Sequence, residues 1–201
     1  MKLIELSKTG TRNNGKYFVQ VDDEDLEWLN QWRWSIFRAR KAIYAIRKTM
    51  GKRIKGQPRK MLKRYFMHRE VMRRHGRLDE SLFLDHADRN PLNCQKYNLR
   101  NATHGQNAVN KNSLENSTSK YLGVCKTTDK RSPTIKYGWM SCIRANKKTK
   151  HLGRFSFTKE GEIQAALAYN EAAKKYHGEF ANLNCVPIPT IPFKQYLSHG
   201  I

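Results

Sequence analysis

One segment, residues 81–112, limits the chain more than any other, because its pattern admits a single order of elements. Residues 81–86 (SLFLDH) are an apolar strand that ends abruptly in an acid and an imidazole, and residues 87–95 (ADRNPLNCQ) are rich in turn formers. Residues 97–103 (YNLRNAT) read as a short second strand, after which Thr103 can cap a helix opening at residues 104–112 (HGQNAVNKN). In a strand, loop, strand, helix arrangement the end of the first strand and the first helical turn can face each other. Asp85, His86 and Asn107 then come within reach of one phosphate.

The residue types suit that target. Hydrolysis of a phosphodiester needs an activated nucleophile, neutralisation of transition-state charge and a stabilised leaving oxygen, and an imidazole with one hard cation supplies all three. Carboxylate and carboxamide oxygens, with the other positions left to water and phosphate, are what Mg2+ prefers. Asp-His pairs and Asn-rich turns also serve as plain capping groups in basic loops. The preceding strand, Asn-Leu-Arg beginning 12 residues after His86, and the asparagine helix 21 residues after it favour a site.

Leu-Asp-His at 84–86, Asn-Leu-Arg at 98–100 and a Thr-opened Gln-Asn-x-x-Asn at 106–110 resemble the HNH, or ββα-metal, nuclease family, especially its phage and intron-encoded homing endonucleases. The resemblance spans roughly residues 66–112. It implies that His86 is the general base for the attacking water and that Asp85 and the amide oxygen of Asn107 hold one divalent cation. It further implies that Asn98 braces the hairpin loop so that the His86 ring points at the scissile phosphate. Colicin-like members carry further histidines on this helix, whereas Lys111 stands here, which favours weakly bound Mg2+ or Mn2+ over a tightly held Zn2+. His104 is a spare candidate for substrate contact. His68 reads as a packing or hydrogen-bonding residue on a helix expected over residues 65–75, ending near Gly76.

Charge points to the same partner. Lys and Arg outnumber Asp and Glu by 39 to 17, a net +22, which implies a polyanionic ligand. Residues 1–117 hold 25 basic and 12 acidic groups and residues 118–201 hold 14 and 5, so both halves are basic. No apolar run approaches the roughly 20 residues of a spanning helix, and the N-terminus lacks a signal peptide's apolar region, so a cytoplasmic location in a bacterial or phage-infected cell is expected, with no membrane partner. Cys94, Cys125, Cys142 and Cys185 form no C-x2-C pair and read as reduced, buried small residues.

Residues 17–21 and 42–46 read as strands, with a helical turn over 22–29 opened by an acidic cap and followed by Trp28, Trp32 and Trp34 as a small aromatic core. Residues 50–64 carry seven cations and no acid around Gly51, Gly56 and Pro58, which reads as a mobile basic loop. Lys52, Arg53, Lys55, Arg59 and Lys60 are its candidates for DNA phosphate contact.

After a polar linker, strands at 121–124, 137–144 and 150–155 precede an amphipathic helix at 159–177. Y-x-G-V, W-x-x-x-I, L-G-x-F, A-x-A-Y-x-x-A-A and G-x-x-A-x-L-N across residues 120–184 resemble the AP2 DNA-binding domain. That resemblance implies a sheet lying in the major groove. Lys126, Trp139, Arg144, Lys150 and Arg154 are the candidate contacts, Trp139 being equally open to core packing. The family's usual arginines are replaced by Leu122 and Cys125, so its sequence preference does not transfer. The prolines at 187, 189 and 192 indicate an extended tail.

The expected fold is α+β. It comprises a small β-rich N-terminal region (1–65), a ββα-metal HNH core (66–112), a linker (113–120), a three-stranded antiparallel AP2-like sheet with one helix (121–184) and a proline-containing tail (185–201). The expected function is a site-targeted, homing-type endonuclease that nicks double-stranded DNA as a monomer, using one Mg2+ or Mn2+ and no small-molecule cofactor. A catalytically inactive, sequence-specific DNA-binding regulator is the alternative. An RNA-binding protein would need stacking aromatics on an open sheet, and the RRM pattern is missing.

Overall fold

Alternating apolar and polar residues build the first sheet. β1 (Lys2–Leu6) and β2 (Tyr17–Val21) pair antiparallel with Ile4 opposite Val19, which buries Ile4, Leu6, Val19 and Val21 on one face. The computed structural model describes residues 1–7, 17–39, 42–52, 55–56, 60–110, 117–128 and 137–187, in two compact units, Met1–Asn107 and Ala108–Ile201.

In the first unit, α1 (Asp23–Asn30) starts after Asp22 and carries Asp23, Glu24 and Asp25 in its first turn, where the helix dipole favours anions. The Asp22 side chain makes no cap bond. Its carboxylate instead accepts from Gln95 Nε2 at 3.1 Å and the Lys96 backbone N–H at 2.8 Å, which ties the helix start to a loop more than 70 residues away. Trp34 is buried and donates from Nε1 to the Leu29 carbonyl at 2.8 Å, while Trp32 packs edge-on against Trp28 and Trp34.

β3 (Ser35–Ala39), β4 (Ala42–Met50) and β5 (Met61–Phe66) form a three-stranded antiparallel sheet in that order. The basic stretch is therefore not loop throughout: residues 61–64 continue into Tyr65 and Phe66 as a strand, with Arg64 opposite Lys48 and Phe66 opposite Ile46. Cross-strand pairing of the apolar and aromatic residues outweighs the repulsion of the cations. Lys52, Lys55 and Lys60 are exposed, and Arg53 and Arg59 lie outside the described residues.

α2 (Met67–Arg74) follows directly and buries Met67, Val71 and Met72. β6 (Phe83–His86) and β7 (Leu99–Ala102) then form an antiparallel hairpin, with a 3-10 turn at Lys96–Asn98 before the second strand. α3 (His104–Val109) opens on reciprocal bonds in which Gln106 N–H donates to Thr103 Oγ1 at 3.3 Å and Thr103 N–H donates to Gln106 Oε1 at 2.8 Å, a capping box. One core draws on β1, β2, α1, the three-stranded sheet, α2, Cys94 and Leu99, so residues on both sides of position 65 share it.

In the second unit, β8 (Val124–Thr128), β9 (Tyr137–Ala145) and β10 (Lys148–Phe155) form an antiparallel sheet in that order, backed by α4 (Lys159–His177). Asn146 and Lys147 both take left-handed backbone, φ 51° and 62°, in the two-residue hairpin that joins β9 to β10. Thr158 caps α4 by accepting from Gly161 N–H at 3.0 Å. Asn184 closes the unit: its side chain bonds the Leu122 N–H and carbonyl, and its backbone bonds the Asn170 side chain. Residues 188–201, including Pro189 and Pro192, lie outside the described residues.

The first strand of this unit begins at Val124, not at residue 121. Gly123 takes a positive φ of 70°, and a Cβ there would sit 2.1 Å from the Tyr169 ring and 2.5 Å from the Cys142 carbonyl. The chain thus turns at Gly123 to bury Tyr121 beneath the helix. The four thiols are free; Cys94 is buried, Cys125 and Cys142 are half-buried and Cys185 is exposed, so burial holds for one of the four. Among the described residues no helix is long and apolar enough to cross a membrane.

Gly123→Ala should destabilise the second unit by about 3 kcal/mol, since it adds both backbone strain and an unavoidable overlap. Chemical denaturation followed by far-UV circular dichroism reads this; a change within ~0.5 kcal/mol would mean that the turn relaxes freely.

Candidate active site

The β6–β7 hairpin sets the site by register. Asp85 lies opposite Arg100 and His86 opposite Leu99. Asp85 Oδ2 accepts from Arg100 Nε at 2.9 Å and Nη2 at 2.8 Å, which fixes the carboxylate in one orientation. Successive strand residues leave on different sides, so Asp85 meets Arg100 while His86 turns toward His68 and Tyr44. Ring centroids are 5.1 Å apart for His86 and His68 and 6.4 Å for His86 and Tyr44.

Asn98 lies at the centre of the loop between the strands and is almost wholly buried. Its Oδ1 accepts from the Asp88 N–H at 2.9 Å, and its Nδ2 donates to Asp88 Oδ1 and to the Asn93 carbonyl, both at 2.9 Å. Its backbone carbonyl accepts from Ala87 N–H at 2.8 Å, one residue beyond His86. Asp88 also accepts from Asn93 Nδ2 at 2.7 Å and from the Asn90 N–H at 2.8 Å.

Burial pushes the His86 imidazole down from its ordinary 6.5 to about 4, against the opposing pull of the Asp88 and Asp85 carboxylates. His86 is therefore neutral near pH 7, with a lone pair able to accept a proton. Burial also holds His68 well below the ordinary value, with His86 and Arg69 adding to the effect. His68 is 8% exposed, and its Nδ1 has no hydrogen-bond partner among the described residues. The sequence reads it as a packing or hydrogen-bonding residue, because nothing in the local pattern marks a group that meets His86 from another element. The Asp85–Arg100 pair, by contrast, could have been found by pairing residues 84–86 with 99–101.

Asn107 sits in the first turn of α3, its N–H bonded to the Thr103 carbonyl at 3.0 Å. It lines an open cavity of about 630 Å³ together with His68, Leu84 and Phe83. The His104 ring packs edge-on against Phe83, with centroids 5.7 Å apart. Lys111 lies outside the described residues. The carboxylate of Asp85 and the carboxamide of Asn107 are hard oxygen donors, so their chemistry fits a divalent cation of the Mg2+ class. Among the described residues no three His, Cys, Asp or Glu side chains stand close enough to form a metal cluster by themselves.

The second unit divides its candidate contacts between two faces. Lys126 pairs with Trp139 and Lys150 with Ile143, so all three candidates among them share the face that α4 covers. Trp139 is partly buried against the cluster of Tyr121, Val124 and Ala166 and donates from Nε1 to the Thr158 carbonyl at 3.1 Å, so it packs at the edge of the unit's core. Lys126 Nζ lies over Tyr137 and Phe157, and Lys150 Nζ over Tyr176. Arg144 and Arg154 are exposed on the opposite face, where Arg154 Nη2 donates to Thr127 Oγ1 at 3.4 Å.

Two imidazoles buried in neutral form give the first unit a definite acid response. For a group whose pKa falls on folding, the unfolded chain binds more protons below the ordinary value. The stabilisation is therefore complete above about 6.5 and is lost as pH falls toward about 4. His86 alone should lose on the order of 3 kcal/mol across that window. Denaturation midpoints measured from pH 7.5 to 4.5 should fall in the parent and fall less in His68→Leu; equal slopes would mean that His68 is not buried as the neutral ring.

Residues 65–109 match the family described as HNH endonuclease. No curated protein and no solved structure matches the chain. The matched segment runs from the end of β5 through α3 and contains Asp85, His86, Asn98 and Asn107, so the site described above lies within a nuclease-like segment.

Proposed function

We propose that the protein is a metal-dependent DNA endonuclease of the homing type, which nicks a selected site as a monomer. The observation that carries this reading is a neutral imidazole at the end of β6, next to a clamped carboxylate, inside the segment that matches the HNH endonuclease family.

Each residue has a stated task. His86 accepts a proton from the water that attacks phosphorus, which its neutral state permits. Asp85 and the Asn107 amide oxygen would hold one divalent cation. Mg2+ or Mn2+ held there would supply neutralisation of the charge that builds on the phosphoryl and leaving oxygens. Arg100 holds Asp85 in place, and Asn98 with Asp88 fixes the loop that follows His86, so the base need not reorganise during the reaction. Lys52, Lys55 and Lys60, with Arg53 and Arg59, contact flanking phosphates, a task that carries affinity without sequence information.

Target selection falls to the AP2-like second unit. Its helix-free face carries Arg144 and Arg154, guanidinium groups of the kind that read guanine edges in a major groove. Lys126 and Lys150, on the helix side, serve backbone contact at the sheet's edges. In this division the nuclease segment grips phosphate and a separate reader supplies the address.

Supercoiled plasmid pools incubated with the full chain and Mg2+ should yield relaxed circles. His86→Ala should cut about 10²–10⁴-fold more slowly while still shifting DNA in a gel. Equal cutting by both proteins would remove His86 from the reaction, and binding without any cutting would favour a DNA-binding regulator. Arg144→Ala with Arg154→Ala should reduce preference for the cut site while leaving general DNA binding within about tenfold; unchanged preference would remove that face from site selection.

A further inference from the structure

The cavity beside the hairpin is built unlike a phosphate site. Its walls include Phe37, Tyr44, Phe66 and Phe83, with His68 and Asn107 as polar lining groups. Phe66 stands edge-on to Phe37 and to Tyr44, with centroids 5.8 and 5.9 Å away, and Phe83 is 51% exposed. Among the described residues, the one cation that lines the cavity, Arg69, is ion-paired to Glu80, which lines it too. A bare phosphate needs unpaired positive charge or a cradle of N–H groups, and these walls supply aromatic rings.

We infer that this cavity receives a nucleobase of the strand being cut, unstacked from its neighbours and laid against the aromatic wall. A base has two apolar π-faces and a polar edge. The rings match the faces. The edge meets Asn107, whose carboxamide can donate or accept, and His68 Nδ1, which is buried without a hydrogen-bond partner among the described residues. A volume of about 630 Å³ leaves room for a purine with its sugar.

The flanking phosphate has a partner at the same place. Arg64, half-buried, stacks its guanidinium on the Phe37 ring at 4.1 Å. Arg64 and Lys48 are paired neighbours on β5 and β4, so two cations lie on the sheet that supplies Phe37, Tyr44 and Phe66. Base against rings and phosphate against Arg64 is a nucleotide-shaped arrangement. The inference rests on the nuclease reading for the identity of the polymer and on the cavity for the contact.

Titration of deoxyadenosine 5′-monophosphate into the full chain without metal, followed by NMR of histidine and aromatic side chains, tests it. Saturable shifts of His68, Tyr44 and Phe83 signals are expected, with 2-deoxyribose 5-phosphate and inorganic phosphate binding about tenfold more weakly or worse. Phe83→Ala, at an exposed position that folding tolerates, should weaken the nucleotide by about tenfold and leave the sugar phosphate unchanged. Equal binding of the sugar phosphate and the nucleotide, or no saturable shift at these residues, overturns the inference. Because neither metal nor cleavage enters the readout, a chain that cuts DNA but ignores the nucleotide refutes only the cavity assignment. A chain that binds the nucleotide but never cuts refutes only the nuclease reading.

Discussion

A single buried carboxamide governs the hairpin. Asn98 satisfies the Asp88 N–H, the Asp88 carboxylate and the Asn93 carbonyl at once, while its own carbonyl takes the N–H that follows His86. The twelve-residue connection 87–98 has many conformations open to it, and a buried amide left with unmet bonds costs on the order of 1–3 kcal/mol per group. One loop conformation therefore prevails. The end of β6 is held where it is by this network.

The surroundings exploit that rigidity in two ways. Arg100 sits across the strand pair from Asp85 and holds the nearly buried carboxylate in one orientation. His86 meets the rings of His68 and Tyr44, and burial outweighs the pull of the Asp88 and Asp85 carboxylates, so the ring stays neutral. Two adjacent residues thus meet opposite surroundings, a guanidinium for Asp85 and a cluster of rings for His86. The shared core around α1, α2 and the sheets keeps this hairpin docked, with Asp22 and the Gln95–Lys96 corner as a polar anchor.

Local periodicity made part of this legible. α4 spans Lys159–His177 as its amphipathic pattern indicates, and the hairpin followed by a Thr103-capped helix is present. Other features depend on contacts between distant residues. β5 starts inside a stretch that reads as a basic loop, because the stabilising partners are on β4. Trp139 faces α4, and alternation alone shows that it shares a face with Lys126 without telling which face a helix will cover. Tyr121 and Leu122 look like strand residues, but the left-handed Gly123 sends them into a turn. His68 carries no local signature at all; only the docking of α2 against the hairpin brings its ring to His86.

The reading of the site requires Asp85, His86 and Asn107 to serve one cation and one phosphate although they leave different elements. Paramagnetic Mn2+ titrated into the full chain, with histidine and asparagine side-chain resonances followed by NMR, reads their convergence directly. The His86 and Asn107 signals should broaden together at the same Mn2+ concentration, recover on addition of Mg2+, and stay sharp in Asp85→Asn. Broadening of only one of the two, or broadening indifferent to Asp85→Asn, would contradict a shared cation at the mouth of the hairpin.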